Sequence, residues 1–322
     1  MSTEAASNVR TIYPGSPELR ERIRGVMSAD KRMSQTVLAR EAGVSSTTLS
    51  QWLSGTYAGN NEAIEQKLEI WLESYEARRA AGGSLPAAPA WVETPTGQRI
   101  VAGLSYAQIA GDIAVIYGGA GLGKTTACQR YALTSPSVWV ATMTPASASV
   151  VTCLEEVCEA VGAGDAGGGA AKLFRAIVKR VRDTHGLLVI DEAQHLSVAA
   201  LDQLRSLHDA TGIGIALVGN EAVYARMTGG NRAAYLDRLF SRIGKRLGLR
   251  QSTEADITAL LGAWGIDDGK CRGQLIEIAR KPGALRTLTK TLRLASSYAA
   301  AESRGVCCED VRAAARELGS VA

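Results

Sequence analysis

Through the first eighty residues, apolar positions recur three and four apart, separated by polar turns. The pattern predicts three short helices, in SPELRERIRGVMS, SQTVLAREAGV and SSTTLSQWLSG. The first is capped by Ser16 with Glu18 in its first turn, and Gly43 closes the second. A fourth, NNEAIEQKLEIWLESYEARR, is amphipathic, with Ile64, Leu68, Trp71 and Leu72 on its apolar side. The stretch AAGGSLPAAPA then breaks the pattern with small residues, two glycines and two prolines, and reads as a linker. Beyond it the periodicity changes. Short unbroken apolar runs, in DIAVIY, LLVI and IGIALVG, alternate with helical patterns, which predicts a parallel sheet covered by helices. From about Gln251 onward only amphipathic helices are predicted. The expected organisation is therefore a helical module at 1–79, a linker at 80–90, an α/β core at 91–250 and a helical lid at 251–322.

Within the first module, Ala39, Gly43, Leu49 and Trp52 stand at offsets 0, 4, 10 and 13. A helix-turn-helix needs a small residue where its helices touch, a glycine at the turn and apolar residues behind the second helix. The module resembles the phage-repressor type. That resemblance implies that Ser45, Ser46, Thr47, Thr48 and Gln51 face the DNA groove or its phosphates, with Lys31, Arg32 and Arg40 near the backbone. The recognition helix, SSTTLSQWLSG, carries no Arg or Lys of its own, which argues against tight base-specific reading. A protein partner for this module stays open.

The core opens on DIAVIYGGAGLGKTTACQRYA, a strand, a glycine loop and a helix. This is the context in which GxxxxGKT marks a phosphate cradle. The predicted ATP-binding loop is Gly118, Gly119, Ala120, Gly121, Leu122, Gly123, Lys124, Thr125 and Thr126. Its backbone amides and the following helix N-terminus would surround the phosphates, and Lys124 would bring a positive charge to them. Thr125 would place a hydroxyl on Mg²⁺. In GLLVIDEAQHL, Asp191 and Glu192 end a second apolar strand, where ligands of open α/β sheets bind. Asp191 is expected at Mg²⁺, and Glu192 as the base that takes a proton from the attacking water.

The remaining engine residues follow from resemblance to AAA+ ATPases. Asn220, at the tip of IGIALVGN, is similar to their sensor 1. In NRAAYLDRLFSRIGKRLGL, Arg238 and Arg242 are read as four apart on one helical face. Arg242 resembles the arginine finger that reaches a neighbouring subunit's γ-phosphate, with Arg238 as the alternative. KPGALRTLTKTLRLA resembles a sensor 2, which makes Arg286 the lid residue at the phosphates. The implied fold is an AAA+ P-loop NTPase with a helical lid, behind a small all-α domain.

Taken together, YGGAGLGKTTACQRYA, VIDEAQHL, ALVGNEAVYARM, SRIGKR and KPGALRTLTKTLRLA resemble the phage Mu B family of transposition proteins and, more loosely, the regulators of Tn7-type transposons. The resemblance covers most of the chain. It implies an ATPase that binds double-stranded DNA largely without sequence preference, assembles on it as a homo-oligomeric filament, and delivers it to a DDE-type transposase. Lys172, Arg175, Lys179, Arg180 and Arg182, together with Lys245, Arg246 and Arg250, are the basic clusters available for DNA phosphates. Two other readings use the same engine: a helicase-loader-like ATPase, and a DNA-binding transcriptional regulator switched by ATP. Glu192 argues against a pure switch, which needs no base.

Composition adds limits. A net charge of +4 over 322 residues does not by itself indicate nucleic acid, so the local clusters matter more. The apolar runs are far shorter than a membrane span, and MSTEAASNVR lacks a signal-peptide core, which places the expected location in the cytoplasm. Six cysteines without CxxC spacing and three scattered histidines do not suggest a metal centre beyond Mg²⁺.

Overall fold

A computed structural model describes residues 16–30, 32–84, 88–228, 241–266, 269–281 and 283–319. The chain divides into two units, Met1–Leu85 and Pro86–Ala322.

In the first unit, α1 (Pro17–Ala29), α2 (Gln35–Glu41) and α3 (Ser46–Ser54) start on Ser16, Ser34 and Ser45, whose hydroxyls each accept an amide of the first turn. Between α2 and α3, Gly43 takes φ +65°, a conformation L-residues rarely adopt. Leu38, Ala39, Leu49 and Trp52 are buried together with Leu68, Trp71 and Leu72 of α4 (Asn61–Ser84). The Trp52 indole donates to Glu65, and Arg20 lies over its ring. Helix α4 continues past residue 79, so helix, not linker, occupies residues 80–84. Alanine at 80 and 81 favours continuation, and Pro86 is the first residue that cannot extend a helix.

In the second unit, α5 (Pro95–Ala110) leads into β1 (Ile113–Gly118), then α6 (Lys124–Thr134) and β2 (Val138–Thr142). Helices α7 (Val150–Ala160) and α8 (Ala170–Val181) precede β3 (Leu187–Asp191). Next come α9 (Val198–Thr211), β4 (Gly214–Gly219), α10 (Glu221–Thr228) and β5 (Ile243–Leu249). The five strands are parallel in the order β2-β3-β4-β1-β5, so β4 separates β1 from β3. Side chains alternate between two cores. Ile113, Val115, Leu188, Ile190, Ile215 and Leu217 face the α7–α8–α9 side, and Ala114, Ile116, Leu187, Val189, Ala216 and Val218 face α5 and α6. Both faces are covered, which explains the unbroken apolar runs.

Two strands escape the hydrophobic pattern. β2 (VWVAT) is an edge strand that is only half-buried, and β5 holds two glycines and two basic residues within IGKRLGL. Pairing with β1 makes β5 a strand, which corrects the helical reading of this region: Ser241 and Arg242 form a turn and β5 begins at Ile243. Arg242 therefore does not sit on a helix. Arg238 lies outside the described residues, as does Lys31. Strand geometry also splits the cluster assigned to DNA there. Lys245 stacks its ammonium on Tyr106 of α5, whereas the neighbouring Arg246 points to the other side of the sheet.

The lid comprises α11 (Glu254–Ala263), α12 (Gly269–Arg280), α13 (Ala284–Ala301) and α14 (Cys308–Glu317) around Ile257, Leu261, Leu275, Leu288, Leu292 and Val311. A fully buried carboxylate, Asp256 in the first turn of α11, ties the lid to the start of α5. It accepts from the Thr96 amide (2.8 Å) and hydroxyl (2.7 Å) and from the Thr253 amide (2.7 Å) and hydroxyl (2.8 Å). Burial pushes its carboxyl up, and these four donors outweigh burial and hold it below the ordinary carboxylate range. No described helix is long and apolar enough to cross a membrane.

Candidate functional site

The loop between β1 and α6 carries its backbone at positive φ at Gly118, Gly121 and Gly123. Gly121 also needs its missing side chain for space: a Cβ there would stand 1.9 Å from the carbonyl oxygen of Gly283, at the N-cap of lid helix α13. Loop and lid thus touch backbone to backbone. Helix α6 has no side-chain cap, so its first amides face the loop and suit an anion.

A cavity of about 410 Å³ lies over this loop. Ala120, Gly121 and Gly123–Thr126 form its floor, together with Glu192 from the end of β3. Trp91, Val92, Thr94 and Gly97 form one wall, and Leu260, Leu285, Arg286, Thr289 and Lys290 of the lid form the other. The volume falls in the range of nucleotide-sized ligand sites. Its position at the carboxyl ends of parallel strands is where open α/β sheets bind ligands.

The charged groups converge here. The Lys124 ammonium donates to the carbonyls of Gly118 (2.8 Å) and Gly119 (2.7 Å). Burial lowers its pKa, opposed by the charges of Glu192 and Asp191 and reinforced by Arg286. The Thr125 hydroxyl donates to Asp191 at 2.7 Å across the end of β4, with Asp191 almost fully buried. Neighbouring oxygens around an octahedral Mg²⁺ lie about 2.9 Å apart, so this hydroxyl–carboxylate pair fits as two adjacent ligands. Glu192, next along, holds φ +54°, a strained setting for a residue with a Cβ, and its amide donates to Asp191 at 2.9 Å.

Gln194 escapes the motif reading and joins two parts of the site. Its amide group donates to the Glu192 carboxylate, and its carbonyl oxygen accepts from the Asn220 amide at 3.2 Å. Gly219 makes room for it, because a Cβ there would lie 2.3 Å from that oxygen. The only sequence signal is its place two residues beyond Glu192.

Two predicted residues stand elsewhere. Asn220 does not line the cavity; its side-chain oxygen accepts from the Ala222 amide at 2.9 Å and begins α10. Arg242 sits at the opposite end of the sheet, where its carbonyl accepts from Ile113, the first residue of β1. The length of β1 alone, about 17 Å, separates it from the β1–α6 loop of its own chain. Its Nε donates to Asp209 at 3.0 Å.

The candidate DNA contacts also separate. Lys172, Arg175 and Lys179 are exposed at i, i+3 and i+7 on one face of α8, with no ion pair among the described residues. Arg180 and Arg182 instead donate to the carbonyls of Val161 and Ala210. In the first unit, Ser46, Thr47 and Gln51 are exposed along α3. Ser45 and Thr48 spend their hydroxyls on each other at the helix start, 2.7 Å apart, which makes them cap residues first.

Residues 110–227 match the family described as AAA domain, and residues 241–318 match Mu B transposition protein, C terminal. The chain is 42% identical over 281 residues to the ATP-dependent target DNA activator B of Escherichia phage Mu, covering 87% of this chain and 89% of that protein. It is 41% identical to the protein of the same name from Escherichia phage D108, with the same coverage. With the Mu-like prophage FluMu DNA transposition protein B of Haemophilus influenzae it shares 38% identity, covering 82% of this chain and 91% of that protein. The chain belongs to the Mu B family of DNA transposition proteins.

Proposed function

We propose that this protein is an ATP-dependent ATPase that assembles on double-stranded DNA as a homo-oligomeric filament, presents that DNA as target to a DDE-type transposase, and activates it. One observation carries the reading. Lys124, Thr125, Glu192 and Arg286 line one cavity, with buried Asp191 bonded to Thr125, while Arg242 stands at the far end of the sheet. Arg242 cannot reach the phosphates its own chain binds, so a neighbour's arginine would complete the site.

In this scheme the loop amides and Lys124 bind the β- and γ-phosphates, and Arg286 contacts them from the lid. Thr125 and Asp191 would hold Mg²⁺, which supplies charge neutralisation of the phosphates when bound. Glu192 takes the proton of the attacking water, held in place by Gln194, which links it to the end of β4. Arg242 of the adjacent subunit adds positive charge at the transition state. The Lys172–Arg175–Lys179 stripe contributes phosphate neutralisation on DNA, and α3 of the first unit adds a second contact surface.

Glu192→Gln tests the reading. The variant should bind ATP, lose turnover and stay on DNA as a trapped oligomer, seen by electron microscopy. Hydrolysis at the wild-type rate would remove Glu192 from the reaction. ATP-bound monomers that ignore duplex DNA would remove the filament.

A further inference from the structure

Arg242 does not project alone. Asp202, Arg205 and Asp209 line one side of α9 at spacings of three and four. Arg205 donates to Asp202 at 2.8 Å and to Asp209, and Asp209 in turn accepts Nε of Arg242 at 3.0 Å. Asp209 is about one-third exposed and Arg242 about half exposed, so the chain of charges runs from the body of α9 out to the surface. Burial raises the Asp209 carboxyl, but its bonds and charge contacts with Arg242 and Arg205 prevail and hold it below the ordinary carboxylate range. It is ionised at neutral pH.

The geometry of a guanidinium makes this arrangement directional. Its five N–H groups form a planar fork. A carboxylate on Nε fixes the plane and leaves the terminal nitrogens on the outer edge. Nη1 has only the Ser241 hydroxyl, at 3.3 Å, and Nη2 has no acceptor among the described residues. Asp202 and Asp209 share the charge of Arg205, so the row of Asp202, Arg205, Asp209 and Arg242 is neutral as a whole, and its outer member, the one that meets solvent, is the Arg242 cation.

We propose that Asp209 is the positioning residue of the arginine finger: it grips Nε of Arg242 so that the terminal nitrogens meet the neighbouring subunit's phosphate already aligned. Arg205 anchors Asp209 from behind. The inference rests on Arg242 acting in trans, and Asp209 itself touches neither nucleotide nor water. A guanidinium aligned before assembly loses less freedom when the subunits meet, and small misplacements of a reacting group are costly.

The test compares Asp209→Asn with Arg242→Ala in DNA-stimulated ATP hydrolysis, alone and mixed with Glu192→Gln subunits. Those subunits bind ATP and assemble but contribute only an intact Asp209–Arg242 pair. Asp209→Asn should lower kcat by about 10- to 100-fold, with KM changed less than about twofold. Mixing with Glu192→Gln should restore turnover, because the defect lies in the finger supplied and not in the subunit's own phosphate loop. Wild-type kcat for Asp209→Asn, with Arg242→Ala inactive and rescued by mixing, would overturn the role of Asp209 and leave the finger intact. Loss in Asp209→Asn that mixing does not rescue would also overturn it, since the residue would then act within its own domain. Wild-type turnover by Arg242→Ala would remove the finger itself.

Discussion

Asp256 is the best single place to disturb the link between core and lid. It is fully buried, and it receives four hydrogen bonds from Thr96 and Thr253, all between 2.7 and 2.8 Å. Asp256→Asn preserves the volume but replaces one acceptor oxygen with a donor. That oxygen is faced by donors only: Oδ1 receives the Thr96 amide, and Oδ2 receives the other three. The amide can turn its oxygen toward Oδ2's partners and lose the Thr96 amide bond, or toward Oδ1's partner, where the two hydroxyls can turn to accept but the Thr253 amide loses its bond. The better choice still removes a charge-assisted bond and leaves a buried donor facing a donor, a cost of about 2–3 kcal/mol. That corresponds to roughly 30- to 150-fold more frequent local opening. Hydrogen exchange at the amides of Thr96 and Thr253 reads this opening directly. ATP affinity should fall in the same variant, because Thr94, Gly97 and Leu260 on the two sides of the link all line the cavity. Unchanged protection at both amides, with ATP affinity within twofold of wild type, would refute the clamp.

Three further outcomes follow from other sites. Gly121→Ala puts a Cβ into the Gly283 carbonyl and strains a φ of +80°, so it should weaken ATP binding measured by titration while leaving the first unit's melting unchanged. Replacing Lys172, Arg175 and Lys179 together by alanine should flatten the plot of log affinity for duplex DNA against log salt by about 2–3, on the expectation of roughly 0.9 per phosphate contact; an unchanged slope would take this stripe off the DNA. In the lid, Arg304 and the Cys307 amide hold the Asp310 carboxyl down to about 2. An unfolded aspartate titrates near about 3.9, so the stabilisation is complete above that pH and is lost as pH falls from roughly 4 toward 2. Asp310→Asn should therefore melt lower than wild type at pH 6, and the difference should shrink at pH 2.5.

The glycine loop between β1 and α6, the acidic end of β3 and the central strands were legible in the sequence because each has a local signature. Glycines at fixed offsets, an apolar run ending in Asp191 and Glu192, and unbroken β patterns do not depend on distant partners. The helix-turn-helix was legible for the same reason, through Ala39, Gly43, Leu49 and Trp52, all of which take the expected core or turn positions. What local pattern could not reveal is tertiary. β5 is a strand because β1 pairs with it, against glycines and charges that weaken its own preference. The Asp256 link spans 160 residues, and Gln194 matters through contacts to two different strand ends. Basic residues adjacent in sequence were separated by the pleat, as Lys245 and Arg246 show, while Lys172, Arg175 and Lys179 were united by a helical repeat.

The most direct measurement is ATP turnover per chain across a protein dilution series, with and without plain duplex DNA. Completion of each site by a neighbour's arginine predicts that turnover collapses on dilution and that duplex DNA restores it by bringing chains together. Constant, full turnover in dilute protein free of DNA would contradict the account.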